Sequence, residues 1–152
     1  MSVRVQHEAF DLGAEVTAFT STLAAAGAVV TFSGLVRDEG GTLTAMDFEH
    51  YPGMTEKALS ARHGEALARF SLEDALGIHR HGRLLPGEQI MMVATAARHR
   101  TDAFAGAEFL MDYLKSRAPF WKKEHTTDGA VWVSARDEDT AALGRWSSSD
   151  DD

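Results

Sequence analysis

"GIHRHGRLLPGEQIMMVATAA", residues 77–97, decides how this chain folds. Two strand-forming segments, GIHRHGRL (77–84) and EQIMMVATAA (88–97), flank Leu85-Pro86-Gly87-Glu88. Proline presets the φ of a tight turn and glycine supplies the positive φ that follows it. The two segments therefore read as neighbouring strands joined by that turn, with no helix between them. This breaks the strand–helix alternation of a parallel α/β fold.

The flanking sequence agrees. Val3 and Val5 alternate with polar residues in SVRVQHE, giving a short first strand. Asp11 caps a helix through GAEVTAFTSTLAAAG, which Gly27 ends. AVVTFSGLVR (28–37) reads as a buried β-branched strand, DEGG (38–41) as a flexible loop, and LTAMDFEHY (43–51) as a second long strand. Pro52-Gly53 turns into a helix over about 54–70, with Ala58, Leu59, Arg62, Ala66, Leu67 and Phe70 at helical spacing. A third helix covers about 101–117 with Phe104, Ala107, Met111 and Leu114 as its apolar stripe. Asp128-Gly129 marks a hairpin between WKKEHT and AVWVSA. Three helices and six or more strands without strict alternation predict an α+β fold with mixed and antiparallel sheets. We assign one domain to residues 1–146 and a disordered acidic tail to SSSDDD (147–152).

Composition narrows the function. No apolar run approaches the ~20 residues of a membrane span, and Met1–Phe10 lacks the apolar block of a secretory signal. The expected location is the cytoplasm. A formal net charge of −8 argues against a broad nucleic-acid surface. The chain has no cysteine, which removes thiolate nucleophiles, persulfide carriers and Cys-based metal sites. Any sulfur chemistry here uses sulfur brought by another molecule.

Against this acidic background, MDYLKSRAPFWKKEH (111–125) gathers Lys115, Arg117, Lys122 and Lys123 around Pro119. Pro119 stops the third helix and sends the chain into a strand. Lys122 and Lys123 then point to opposite faces, so at most one of them joins Lys115. The bland reading is a helix dipole complemented by Lys115 and Arg117, with solvated lysines beyond it. Two further basic groups weigh against that reading. Arg98, His99 and Arg100 precede the third helix, and Arg37 ends the strand at 28–37. Three basic groups at element termini point to a site for a small, multiply charged anion such as a phosphate ester. His79 and His81 share a strand face and have metal-ligand spacing, yet no third ligand stands out and exposed strand histidines are the commoner case. Trp121, Trp132 and Trp146 fit core or interface positions, or a stack on a heterocycle. From these residues alone, a non-catalytic phosphate- or nucleotide-binding module and a metal-dependent hydrolase stand beside an anion-handling enzyme.

VTFSGLVRDEG, EHYPGMTEKAL, IHRHGRLLPGE, HRTDAF and MDYLKSRAPFWKKE, in this order and spacing, resemble the large catalytic subunit of molybdopterin synthase from about residue 3 to Trp146. The resemblance implies a hammerhead-like α+β fold and a sulfurtransferase without cofactor or metal. Its substrate would be precursor Z, a cyclic pyranopterin monophosphate, which receives the dithiolene sulfurs of molybdopterin. The sulfur would arrive as a thiocarboxylate on the C-terminal Gly-Gly of a small ubiquitin-like subunit. Two large subunits would form a homodimer inside a heterotetramer. Carried over by position, the resemblance makes Lys115 and Lys122 catalytic. It assigns substrate contacts to Leu35, Val36 and Arg37, to His99 and Arg100, to Lys115, to the run Lys122, Lys123 and Glu124, and to Arg136. It also implies that His99 and Arg100 serve the neighbouring subunit's site, and that any contact from Leu35 is made by backbone.

Overall fold

The computed structural model describes residues 2–133, 141, 142, 144 and 146. Over residues 2–133, eight strands and three helices follow the order β1 (Ser2–Gln6), α1 (Leu12–Ser21), β2 (Ala28–Leu35), β3 (Leu43–His50), α2 (Met54–Arg69), β4 (Leu72–Arg80), β5 (Gly82–Leu84), β6 (Gln89–Ala97), α3 (Arg100–Ser116), β7 (Phe120–Thr126) and β8 (Gly129–Val133). They build two four-stranded sheets, ordered β1-β4-β6-β2 and β5-β3-β7-β8. In the first, β1 runs parallel to β4 while the other pairs are antiparallel; the second is antiparallel throughout. The architecture is α+β with a mixed and an antiparallel sheet.

The segment 77–97 forms neighbouring antiparallel strands, with Ile78 opposite Met92. GIHRHGRL, however, is not one strand. The chain breaks at His81, Gly82 takes a φ of 90°, and β5 leaves for the second sheet, where it pairs with β3. A side chain at Gly82 would strike the His7 ring, at 2.6 Å, so the residue that bends the chain is also the one that fits there. This bend hands the chain from one sheet to the other.

β4 and β6 are the central strands of the first sheet and are covered on both faces, which is why MMVATAA is continuously apolar instead of alternating. On one face α2 and α3 contribute Ala66, Ala103, Phe109 and Leu110 against Ala75, Met91, Val93 and Ala97. On the other, Phe19 of α1 packs on Leu76, Ile78, Met92 and Ala94. Val36, Met46, Phe48 and Leu84 form a third cluster between the two sheets. Trp146 packs edge-on against Phe70 and Phe109 and donates its indole N–H to Asp112 at 2.6 Å.

Several expectations need correction. α1 is capped by the Asp11 carboxylate, which accepts from the Ala14 N–H at 2.8 Å, but it stops at Ser21 and not at Gly27. The hydroxyls of Thr20, Ser21 and Thr22 bond back to carbonyls three residues earlier. Glu73 then captures the N–H groups of Ala24 and Ala25, at 2.8 and 2.5 Å, and these bonds hold its carboxyl below the usual range. β2 is an edge strand, not a buried one, and Phe32 and Leu35 are exposed. Phe104 lies outside the buried face of α3, at 60% exposure. Small residues govern that face: Ala103, Gly106, Ala107 and Leu110 follow helical spacing against the sheet, and Phe104 sits one residue off it. Residues 147–152 lie outside the described residues. Among those described, no helix is long and apolar enough to cross a membrane.

Close approach between α2 and β4 gives a stability prediction. A Cβ at Gly77 would lie 2.5 Å from Nε2 of His63, a ring that is 1% exposed and fixed by an Nδ1–H bond to the Leu59 carbonyl at 2.9 Å. Gly77→Ala therefore lowers unfolding stability by about 1–3 kcal/mol through overpacking. Urea melts of the two proteins measure it, and coincident midpoints would contradict this packing.

Candidate active site

The site begins at the corner where α3 becomes β7. The Arg117 and Ala118 N–H groups both donate to the Tyr113 carbonyl, at 2.8 and 3.0 Å, closing the last turn. Pro119 lacks the N–H that would prolong the helix, and β7 starts at the next residue. Thr55, fully buried at the start of α2, fastens the corner: its hydroxyl donates to the Pro119 carbonyl at 3.0 Å and accepts from the Tyr51 N–H at 2.9 Å. Lys115 stands on the helical arm of this corner and Lys122 on the strand arm.

Both lysines line one open cavity of about 110 Å³. Its walls include Gly34 of β2, Phe48 of β3, His79 of β4, Met91 of β6, Met111 of α3 and Phe120 of β7. Residues as far apart in sequence as Gly34 and Val133, 99 positions, thus meet because the two sheets and the C-terminal end of α3 converge there. Alternation along β7 decides which lysine enters. Lys122 lies opposite Phe48, on the face that carries the cluster between the sheets. Lys123 lies opposite Asp47 and Trp132, its ammonium 5.3 Å from the centre of the Trp132 ring. Asp47 on that outer face binds Arg83 at 2.9 Å and His125 at 2.6 Å; the Arg83 bonds, then His125, hold its carboxyl below the usual range despite partial burial. Glu124 shares the face of Lys122, opposite Met46, outside the cavity lining.

His79 is the residue whose setting the sequence reading misjudged. Expected to be exposed, it is 7% exposed, and its ring is stacked on Phe120 with centroids 3.7 Å apart and planes 17° apart. Phe48 meets the same ring edge-on at 5.7 Å. Nδ1 lies 2.7 Å from the Arg80 carbonyl, which only accepts, so Nδ1 carries the proton. Burial first, then the charges of Lys122, Lys115 and His50, pushes its pKa down to about 3. The ring is neutral beside the two cations. Its position on the face of Ala75 and Gly77, where a strand of small residues approaches the helices, was the available signal for burial. His81 lies beyond the end of β4, its ring centroid 4.3 Å from that of His50 with the planes tilted by 31°. Among the described residues no group of three metal-ligating side chains is placed to hold an ion.

The other expected contacts are more scattered. Arg37 follows Gly34 by three residues, reaches solvent and pairs with Glu39. Val36 is core: it is 3% exposed, its N–H donates to the Glu88 carbonyl at 2.9 Å, and its carbonyl accepts from the Gly87 N–H at 2.8 Å. Leu35 is exposed and sits at a register shift next to Gly34, where the edge of β2 bulges. His99 is the N-cap residue of α3 and Arg100 its first residue, both exposed. Lys115 is near the other end of the same helix. Fifteen residues at 1.5 Å each separate Arg100 from Lys115 by about 22 Å. Within one chain, then, the Lys115–Lys122 cavity is built without His99 and Arg100. Arg136 lies outside the described residues.

Comparison with known proteins gives this arrangement a family. Residues 5–117 match the model of the MoaE protein family. The molybdopterin synthase catalytic subunit of Cereibacter sphaeroides is 66% identical over 146 residues, which cover 96% of this chain and 100% of the relative. Among solved structures, the molybdopterin biosynthesis MoaE protein of Burkholderia ambifaria superposes with a TM-score of 0.82 at 55% identity, covering 96% of this chain and 98% of that one. The crystal structure of molybdopterin synthase from Staphylococcus aureus aligns with a TM-score of 0.78 at 28% identity, covering 86% and 95% of the two chains. By sequence over nearly its whole length and by fold, the chain belongs to the MoaE protein family.

Proposed function

We propose that this chain is the catalytic subunit of a cytoplasmic molybdopterin synthase, a sulfurtransferase acting on precursor Z. The observation that carries the reading is the meeting of Lys115 and Lys122 at one cavity floored by a neutral His79 and two phenylalanines. Relatives named as this catalytic subunit, at 66% and 54% identity, support it. So does the absence of cysteine, since the incoming sulfur belongs to the partner.

The chemistry follows from the charges. The thiocarboxylate at the end of the small subunit's tail attacks a carbon of the substrate through sulfur, forming a C–S bond and leaving the acyl group on that sulfur. As that bond forms, a C–O bond at the same substrate carbon breaks, and its oxygen departs as water or with the phosphate. Water then attacks the acyl carbon. Its C–S bond breaks, the thiolate stays on the pterin, and the tail leaves as a carboxylate. Two such transfers complete the dithiolene. Lys115 moves a proton or stabilises the oxyanion of the tetrahedral intermediate. Lys122 neutralises charge on the phosphate or on the tail carboxylate. Arg37, and His99 and Arg100 from the second subunit of a homodimer, hold the anionic substrate in place. The 22 Å length of α3 between Arg100 and Lys115 (about, at helical rise) is the reason a second subunit is needed.

Reconstitution tests the reading. The purified chain, precursor Z and a thiocarboxylated small subunit yield the dithiolene product, and omission of the small subunit yields none. Binding of precursor Z without conversion would instead identify a phosphate-binding module.

A further inference from the structure

The two lysines lie on arms of one corner, which is held from inside the protein by the Thr55 hydroxyl and by one aromatic ring. Phe120 is two residues before Lys122 and five after Lys115. Its ring lies face to face with His79, while Thr55 grips the preceding carbonyl. The His79 ring is in turn fixed by its Nδ1–H bond to Arg80 and by the edge contact with Phe48. β4, which carries His79, is a central strand covered on both faces. We propose that His79 is a positioning residue for sulfur transfer: its ring face clamps Phe120, and the clamp sets the separation of the Lys115 and Lys122 amines across the cavity. This rests on the functional reading above.

An imidazole suits the task better than the alternatives for two reasons. Its polar edge binds the Arg80 carbonyl, which fixes the ring plane; phenylalanine offers no such donor. Because the buried ring stays neutral, it adds no third positive charge against the lysines, as a lysine or arginine would. A misplacement of about 1 Å at reacting groups costs on the order of 100-fold in rate, so the clamp acts mainly on turnover.

Three single variants and one double variant separate the ring face from the ring nitrogen. His79→Asn keeps an N–H donor for the Arg80 carbonyl but removes the ring; kcat falls by about 10- to 100-fold with KM changed less than about threefold. His79→Phe restores the stack and recovers kcat to within about threefold of the parent, at some loss of thermal stability. Phe120→Leu lowers kcat by a factor similar to that of His79→Asn, and the double variant loses little more, because both changes remove one contact. Equal inactivity of His79→Asn and His79→Phe would overturn the proposal in favour of a chemical role for Nε2, and multiplicative losses in the double variant would overturn it too. Crystal structures of the two His79 variants decide the geometric claim without turnover. Phe120 and the two amines are displaced in His79→Asn and in register in His79→Phe; an undisplaced corner in His79→Asn sinks the clamp. An inactive parent protein with a displaced corner in His79→Asn would sink the functional reading and leave the clamp standing.

Discussion

Lys115→Ala eliminates dithiolene formation, by about 10²- to 10⁴-fold, in a protein that still folds and still binds its small subunit. The magnitude is that of removing a general acid–base group or an electrostatic stabiliser of the reacting centre. Two features separate this loss from a folding defect. Lys115 is exposed in the last turn of α3, so its truncation removes little packing. Its favourable interaction with the helix C-terminus contributes only about 0.3–1 kcal/mol. Thermal melting of the variant therefore stays within a few degrees of the parent, and gel filtration with the small subunit gives the same complex. Lys115→Arg, which retains charge but not the shape or acidity of an amine, recovers only a minor part of the rate. Normal turnover by Lys115→Ala would remove the central residue of the mechanism.

Lys122 and Lys123 are neighbours in sequence with opposite expected outcomes. Lys122→Ala lowers kcat/KM by about 100-fold or more, because Lys122 lines the cavity beside Phe120 and His79. Lys123→Ala leaves it within about threefold. Its ammonium lies over Trp132 on the outer face of the second sheet, and the loss there is a cation–π contact of about 0.5–1 kcal/mol. Steady-state kinetics on the two variants, side by side, make the test. Equal losses would mean that strand alternation does not select the working lysine.

That pair also shows how much of the site was legible. Once Pro119 ended the helix and a strand followed, the period of two required Lys122 and Lys123 to part. Which of them would face Lys115 depended on the pairing of β7 with β3, Phe48 opposite Lys122, and no local pattern encodes that register. The helices and most strands followed from periodicity, caps and turn residues. The failures have physical causes. GIHRHGRL reads as a single strand because nothing local reveals that Gly82 bends it into a second sheet. The length of α1 was set by Glu73, 48 residues away from Ala25, which seizes the N–H groups that a longer helix would have used. His79 read as exposed because histidine between polar neighbours usually is, whereas the two-sided cover of β4 buries it. Arg37, His99 and Arg100 were recognised as basic termini, yet a sequence holds no information about distances between termini. Here one helix length keeps two of them from the lysines of the same chain.

The central claim is that the amines of Lys115 and Lys122 flank one reaction centre. The most direct measurement is a crystal structure of this chain with its small subunit, the tail seated in the cavity. The predicted result has the tail's terminal carboxyl within about 3 Å of both ammonium groups, with Phe120 still stacked on His79. A tail that ends on the outer sheet face near Lys123, or that touches one amine while the other turns to bulk solvent, would contradict the account.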